Sequence, residues 1–177
     1  MHEQPHPGSG RPRTFLHGML FLFAAAIGIE AGAGLFTTVV VFPVWAGSPE
    51  AATGFRPGVP YYLEEGDFFM FSSSLAALAS IVTLVAGWRA PAPLGRWLRM
   101  ATISFLIVAV WSAAYFVPIQ DTTFKGAAGL KISREELAAG LQRFVALNYV
   151  RQLVILFAFG AALHALGLSY RMRGNKE

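Results

Sequence analysis

Four long apolar stretches set the pattern of hydrophobic and polar positions along the chain. Each stretch contains about 20 residues or more with almost no charged side chain, and a helix of that length crosses a hydrocarbon core of about 30 Å. The stretches cover residues 15–46, 68–88, 101–120 and 152–170. The pattern therefore predicts an all-α protein whose fold is a four-transmembrane-helix bundle.

Proline and capping signals refine the ends of the predicted helices. We expect helices over residues 15–41, 68–88 and 97–117. The third should end at Pro118, because proline interrupts the helical hydrogen bonds. Residues 133–136 read Ser-Arg-Glu-Glu, which has the spacing of a capping box. The fourth helix is therefore predicted to begin near Arg134, to extend beyond the membrane on the outer side, and to run to Tyr170.

The chain is predicted to form one membrane domain with short flanking segments. Residues 1–13 are rich in proline, glycine and histidine and are predicted to be a disordered cytoplasmic arm. Residues 14–171 form the single four-helix membrane domain, and residues 172–177 form a cytoplasmic tail. The connections between the predicted helices leave no room for a soluble domain.

The composition agrees with a membrane protein and excludes several kinds of chemistry. The mean hydropathy is +0.51, with 55% hydrophobic and only 14% charged residues. The chain has no cysteine, which excludes disulfides, thiolate nucleophiles and iron–sulfur ligation. Its four histidines form no i,i+3 or i,i+4 pair on a predicted helix. The sequence therefore predicts neither a metal site nor a bound cofactor.

The distribution of cations predicts the orientation in the membrane. Arginine and lysine dominate the N-terminal arm, the second connection and the C-terminal tail, at Arg11, Arg13, Arg89, Arg96, Arg99, Arg171, Arg173 and Lys176. By the positive-inside rule both termini are cytoplasmic, and we expect an integral protein of the bacterial inner membrane. The pI of 9.8 then reflects orientation and attraction to anionic lipid. The expected partners are the lipid bilayer and a lipophilic small molecule but no nucleic acid, and a homo-oligomer or a membrane-complex partner stays open.

Glu30 is the residue that departs most from the apolar pattern. It is the only carboxylate between Arg13 and Glu50. A charge inside a bilayer is unfavourable and commonly has a function. With a rise of about 1.5 Å per residue, Arg151 enters the fourth stretch at a similar depth and is the expected partner of Glu30.

Other polar and aromatic side chains are predicted to share this depth. Asn148, Arg151 and Gln152 lie three or four residues apart and therefore share one helix face. On the second and third helices, four serines and two aromatic residues fall at the same level: Ser72, Ser73, Ser74, Ser112, Trp111 and Tyr115.

This layer gives the candidate site. The candidate catalytic residues are Glu30, Arg151 and Asn148, and the candidate substrate-binding residues are Trp111, Tyr115, Ser73 and Gln152. A structural interpretation stays open. In it, Glu30 and Arg151 form an ion pair that ties the first helix to the fourth, and the aromatic rings pack in the core.

Two short segments carry a family resemblance. The end of the third helix reads YFVPIQD over residues 115–121, and the fourth helix reads LNYVR over residues 147–151. The first is similar to an aromatic-x-x-Pro-Leu/Ile-Asn-Asp/Glu sequence, and the second to a Trp-Asn-His-x-Arg sequence, of small four-helix anthrone oxygenase-like membrane proteins. A glycine-rich first helix followed by a proline, here at Pro43, is also typical of them.

The chain matches these sequences at Pro118, Asn148 and Arg151. It departs from them at three positions, where Leu147 replaces a tryptophan, Tyr149 a histidine and Gln120 an asparagine. The resemblance implies oxygenase chemistry of the kind that converts polycyclic anthrones to anthraquinones.

The predicted function is that of a membrane-embedded oxidoreductase or oxygenase acting on a lipophilic aromatic or quinone-like small molecule. Glu30 would remove a proton, Arg151 and Asn148 would stabilise the resulting anion, and Trp111 and Tyr115 would stack on the ring. An electron-rich anion can react directly with oxygen, so this chemistry needs no metal. The alternatives are a small proton-coupled transporter and a non-catalytic membrane subunit or lipid-binding protein.

Overall fold

The computed structural model describes residues 11–47, 65–120 and 133–174. Helix α1 covers Arg11–Phe36 and continues through a π-helical turn, Thr37–Val41, into Phe42–Gly47. Helix α2 covers Glu65–Ala86. Helix α3 covers Leu94–Trp111 and continues through a second π-helical turn, Ser112–Phe116, into Val117–Gln120. Helix α4 covers Arg134–Gly174.

The prediction of an all-α, four-helix membrane bundle is confirmed. Each of the four helices, with its π-helical continuation where it has one, is long and apolar enough to span a membrane. The described residues contain no strand. These helices indicate an integral membrane protein, and its orientation stays a prediction. Residues 1–10 of the predicted arm and residues 175–177 of the predicted tail lie outside the described residues, and α1 already includes Arg11.

The predicted start of α4 is confirmed at its capping box. The backbone N–H of Ser133 donates to Glu136 Oε2 at 2.7 Å, and the backbone N–H of Glu136 donates to Ser133 Oγ at 3.2 Å. At a rise of about 1.5 Å per residue, the 41 residues of α4 extend roughly 60 Å, about twice the thickness of a hydrocarbon core. Part of α4 therefore projects beyond the hydrocarbon core.

The predicted ends of the first and third helices are wrong, for one shared reason. Both helices continue past a proline, Pro43 in the first and Pro118 in the third. In each case a π-helical turn ends two residues before the proline, so that the proline is the second residue of a new α-helical segment. A proline in a first turn removes no α-helical hydrogen bond.

The helices form an antiparallel ring in which each packs against the next and α4 returns to α1. The largest completely buried apolar side chains come from three of them and are Leu20, Phe23, Ile27, Leu98, Phe105 and Ile155. Alanines on α4 let its neighbours approach closely, at Ala158, Ala161, Ala162 and Ala165. Large apolar side chains also cover the outside of the bundle, which suits a lipid solvent.

Contacts at both ends fix the register of the helices. At the end where α1 begins, the paired residues are Thr83 with Met19, His17 with Ser169, and Trp97 with His164. At the other end they are Ser73 with Glu30, Gln152 with Ala31, and Phe116 with Phe144. The second set brings the predicted polar layer to one level of the bundle.

Candidate functional site

Glu30 lies at the centre of the polar layer, on α1, and is only 1% exposed. Its two carboxylate oxygens face the neighbouring serines of α2. Ser73 Oγ donates to Oε2 at 3.0 Å, and Ser72 Oγ forms a short hydrogen bond with Oε1. Two adjacent serines on one helix therefore hold both oxygens of a buried carboxylate.

The Ser72 hydroxyl has two acceptors within reach. Besides Glu30, the backbone carbonyl of Phe68 lies 2.8 Å from Ser72 Oγ. A serine has one hydroxyl proton, so when Ser72 donates to Phe68, its hydrogen bond with Glu30 requires a proton on the carboxyl group. The geometry thus accommodates both the charged and the protonated form of Glu30.

Arg151 on α4 faces Glu30 across the layer. Its Nη2 lies 3.9 Å from Glu30 Oε2, longer than the roughly 2.7–2.9 Å of a charge-assisted hydrogen bond. Its Nη1 donates to Asn148 Oδ1 at 3.1 Å. The guanidinium carbon lies 5.5 Å from the ring centre of Phe69 and 5.7 Å from that of Phe116, so cation–π contacts stabilise the charge. Arg151 is therefore only loosely paired with the carboxylate.

The two polar neighbours of Arg151 have different partners. Asn148 donates from Nδ2 to the backbone carbonyl of Phe144 at 2.9 Å, which orients its oxygen toward Arg151. Gln152 donates from Nε2 to the backbone carbonyl of Ala31 at 2.9 Å. The close approach of this amide to α1 requires Gly34, since a Cβ there would lie 2.9 Å from Gln152 Cδ. Asn148 thus extends the site, whereas Gln152 joins α4 to α1.

The aromatic residues predicted on α3 lie beside the site, with Phe116 between them and Arg151. Trp111 and Tyr115 are both half-buried, and their ring centres lie 5.5 and 6.0 Å from that of Phe116. The guanidinium carbon of Arg143 lies over the Tyr115 ring, 5.7 Å from its centre. The π-helical turn aims Phe116, rather than Tyr115, at Arg151.

Sequence reasoning missed the two phenylalanines that hold Arg151. Phe116 is five residues from Trp111, a spacing that places two residues on one face only in a π-helix. No signal in the sequence separates it from its neighbours. Phe69 could have been found, because it lies three and four residues before the serines that were assigned to the layer.

An aromatic cap covers the layer on the side where α4 begins. Phe144 is its central ring, 6.2 Å from Phe42 and 5.5 Å from Phe116 between ring centres. Phe42 directly follows the first π-helical turn, and Phe116 is the last residue of the second. Both turns therefore direct a ring toward α4. The cap helps to keep water from the charges below it.

The described part of the chain holds two buried side-chain polar atoms without a hydrogen-bond partner, Ser112 Oγ and Arg151 Nε. It holds no group of three or more histidine, aspartate or glutamate residues that could bind a metal ion. A groove of about 290 Å³ lies outside the layer, between Trp45 and α4, and is lined by Trp45, Ala138, Leu141, Gln142, Val145, Ala146 and Tyr149.

Comparison with known proteins supplies a family. The family model described as anthrone oxygenase matches residues 64–161, more than half of the chain. The matched segment contains Ser73, Asn148 and Arg151, while Glu30 lies outside it. The comparisons with curated proteins and with solved structures found no match. The match confirms the resemblance drawn from the two short segments, and the role of Glu30 depends on geometry alone.

Proposed function

Because the chain belongs to the anthrone oxygenase family, we propose that it is a membrane-embedded oxygenase acting on a lipophilic aromatic or quinone-like molecule. Membership in the family supports an oxygenase-type role. The four apolar helices support a substrate that arrives from the bilayer. The buried carboxylate beside a guanidinium supports a reaction that begins with loss of a proton.

In the proposed reaction Glu30 is the general base. It takes a proton from a ring methylene or a phenol that the neighbouring aromatic system makes acidic. The observation that carries this role is the pair of serine hydroxyls, because their geometry keeps Glu30 hydrogen-bonded before and after protonation. At 3.9 Å, the contact with Arg151 is too long for a charge-assisted hydrogen bond, so the guanidinium does not hold the carboxylate.

Arg151 and Asn148 stabilise the anion that forms. The guanidinium lies between two phenylalanine rings in a dry environment, where its charge acts more strongly than in water. For a methylene substrate, the carbanion passes its electrons to O₂. One oxygen atom becomes the new carbonyl and the other leaves as water, so the methylene and O₂ exchange four electrons. O₂ is the only oxidant that this balance requires.

The test uses the full chain in lipid nanodiscs with dihydroxyanthrone as the probe. Oxygen uptake and formation of the quinone are followed together and compared with the rate in empty nanodiscs. Glu30→Gln is expected to reduce the rate at least about a hundredfold, the typical contribution of a general base. Ser74→Ala is the matched control, because Ser74 is an exposed α2 serine that bonds its own backbone at Met70.

Retained turnover in a folded Glu30→Gln variant would overturn the proposed role of this residue. The full set of partners around Glu30 supports a second candidate, a non-catalytic membrane subunit in which this residue ties α1 to α2. That candidate predicts that Glu30→Gln lowers thermal stability and that the wild-type chain does not oxidise the probe faster than empty nanodiscs.

A further inference from the structure

Two buried donors in the polar layer have no hydrogen-bond partner among the residues that the structure describes. They are Ser112 Oγ on α3 and Arg151 Nε on α4. The carboxylate of Glu30 and the amides of Asn148 and Gln152 all form hydrogen bonds. Buried polar groups in folded proteins almost always have a partner, so two such atoms within a candidate site point to a ligand.

The register of the bundle places Ser112 and Arg151 within one helical turn of each other along the bundle axis. Ring contacts pair Trp97 with His164 and Phe116 with Phe144, which sets how α3 and α4 run past each other. One turn from the second pair toward the bundle centre leads to Ser112 on α3 and to Asn148 on α4, and Arg151 follows Asn148 by three residues. Ser112 also continues the inward-facing stripe of α3, which contains Phe105, Val108 and Phe116.

The chemistry of the two atoms restricts the ligand. An arginine Nε–H only donates, and a serine hydroxyl can donate at the same time, so together they suit one acceptor oxygen. The surrounding side chains are flat and apolar, with Phe69 and Phe116 against the guanidinium and Trp111 against Phe116. An aromatic carbonyl or phenolate oxygen combines an acceptor with a flat ring.

We propose that Ser112 and the Nε edge of Arg151 form the recognition point for a carbonyl or phenolate oxygen of a flat aromatic ligand between α3 and α4. The inference rests on the proposed function and adds to it the position of the substrate oxygen. It makes Ser112 a substrate-orienting residue. The same two donors select against aromatic hydrocarbons without oxygen, because such molecules leave both donors unpaired.

The experiment measures binding without turnover. Dihydroxyanthraquinone, which is already oxidised, and anthracene, which has similar rings but no oxygen, are titrated into nanodiscs that contain the full chain. Quenching of tryptophan fluorescence reports binding. Ser112→Ala should weaken dihydroxyanthraquinone about tenfold and leave anthracene unchanged, since one hydrogen bond in a buried site is lost. Ser112→Thr, which keeps the hydroxyl, should restore the affinity.

A double-mutant cycle tests the pairing with Arg151. Arg151→Lys keeps the charge but removes Nε, so Ser112→Ala should have a smaller effect in that background. Ser104→Ala, a half-buried serine on the same helix, is the control and should change neither affinity. Equal weakening of both probes by Ser112→Ala, or no change in either, would overturn the proposal.

This experiment and the test of the proposed function can fail separately. Glu30→Gln should still bind dihydroxyanthraquinone through Ser112 and Arg151 while it fails to turn over dihydroxyanthrone. Turnover that persists in Glu30→Gln would overturn the proposed role of Glu30 as general base without affecting the proposed recognition point. An affinity for dihydroxyanthraquinone that is unchanged in Ser112→Ala would overturn the recognition point without affecting the proposed role of Glu30.

Discussion

The two halves of the bundle use buried polar side chains in different ways. In the half where α1 begins, the buried hydroxyls of α2 and α3 donate to backbone carbonyls: Ser80 to Thr102, Thr83 to Met19, and Thr102 to Leu98. On α4, the Ser169 hydroxyl bonds both the His17 ring and the backbone carbonyl of Leu166. In the other half, Glu30, the two serines of α2, Arg151 and Asn148 bond to one another through their side chains. Bonds of the first kind are usual between membrane helices.

The two halves therefore differ in the partners of their buried polar residues. A hydroxyl bonded to a carbonyl has a fixed partner whose charge never changes. A carboxylate bonded to serines and faced by a guanidinium can gain a proton, and its partners can adjust to either state. The kind of partner, more than burial, distinguishes the structural hydroxyls of α2 and α3 from the candidate site.

The largest expected effect comes from removing the cation of the second half. Arg151→Met leaves Glu30 buried without its cation, and loss of one partner from a buried pair costs about 3–5 kcal/mol in unfolding free energy. Thermal and denaturant unfolding in detergent measure the change. Adding Glu30→Gln to Arg151→Met should recover most of the loss. A single variant as stable as the wild type would show that the pair is not coupled.

A smaller effect tests how α1 and α4 meet beside the site. Gly34→Ala adds a Cβ against the Gln152 amide and should lower the free energy of unfolding by about 1–3 kcal/mol, as overpacking does. Gly32→Ala is the matched control, because no atom of the described residues lies within 4 Å of a Cβ at that position. If both variants unfold alike, the contact between Gln152 and α1 does not depend on Gly34.

Substitution of one α2 serine in each half compares the two halves directly. Ser73→Ala removes a partly buried hydrogen bond and Ser80→Ala a buried one, and each should lower the free energy of unfolding by about 1 kcal/mol. Only Ser73→Ala should also slow oxidation of dihydroxyanthrone, by severalfold, because its hydroxyl bonds the proposed base. Equal rates in the two variants would contradict the division between the halves.

The smallest effect is expected outside both halves, at the start of α4. Ser133→Ala removes one partner of the capping box, so the first turn of α4 should open more often. Amide hydrogen exchange should rise severalfold over residues 134–137 and stay unchanged around Arg151. Faster exchange at Arg151 would mean that the cap and the polar layer are coupled.

The depth of the site residues in the bundle could be predicted from the sequence, whereas the side of the helix that each residue faces could not. The rise per residue is nearly constant in any helix, so counting placed Glu30, Ser73 and Arg151 at one level before their contacts were known. The side that a residue faces depends on the helical period, and the period changes at the two π-helical turns. For this reason Phe116, and not the predicted Tyr115, contacts Arg151. For the same reason α1 continues past Pro43 and α3 past Pro118, where the sequence predicted that each helix had ended.

The two prolines were also interpreted too simply, as positions where a helix ends. A proline inside an apolar stretch predicts a break, but the extra residue of a π-helical turn lets an α-helix restart just before it. The two turns have the sequences TTVVV and SAAYF, and neither contains a glycine or a proline that would mark the extra residue.

The two π-helical turns have a consequence for comparing this chain with its relatives. Deleting one residue from either turn would restore the ordinary helical period and swing everything beyond it by about 100° around the helix axis. Phe42 or Phe116 would then face lipid, although the chain would be shorter by a single position. A one-residue gap aligned at either place should therefore be regarded as a change in which side chains face α4 rather than as a neutral difference in length.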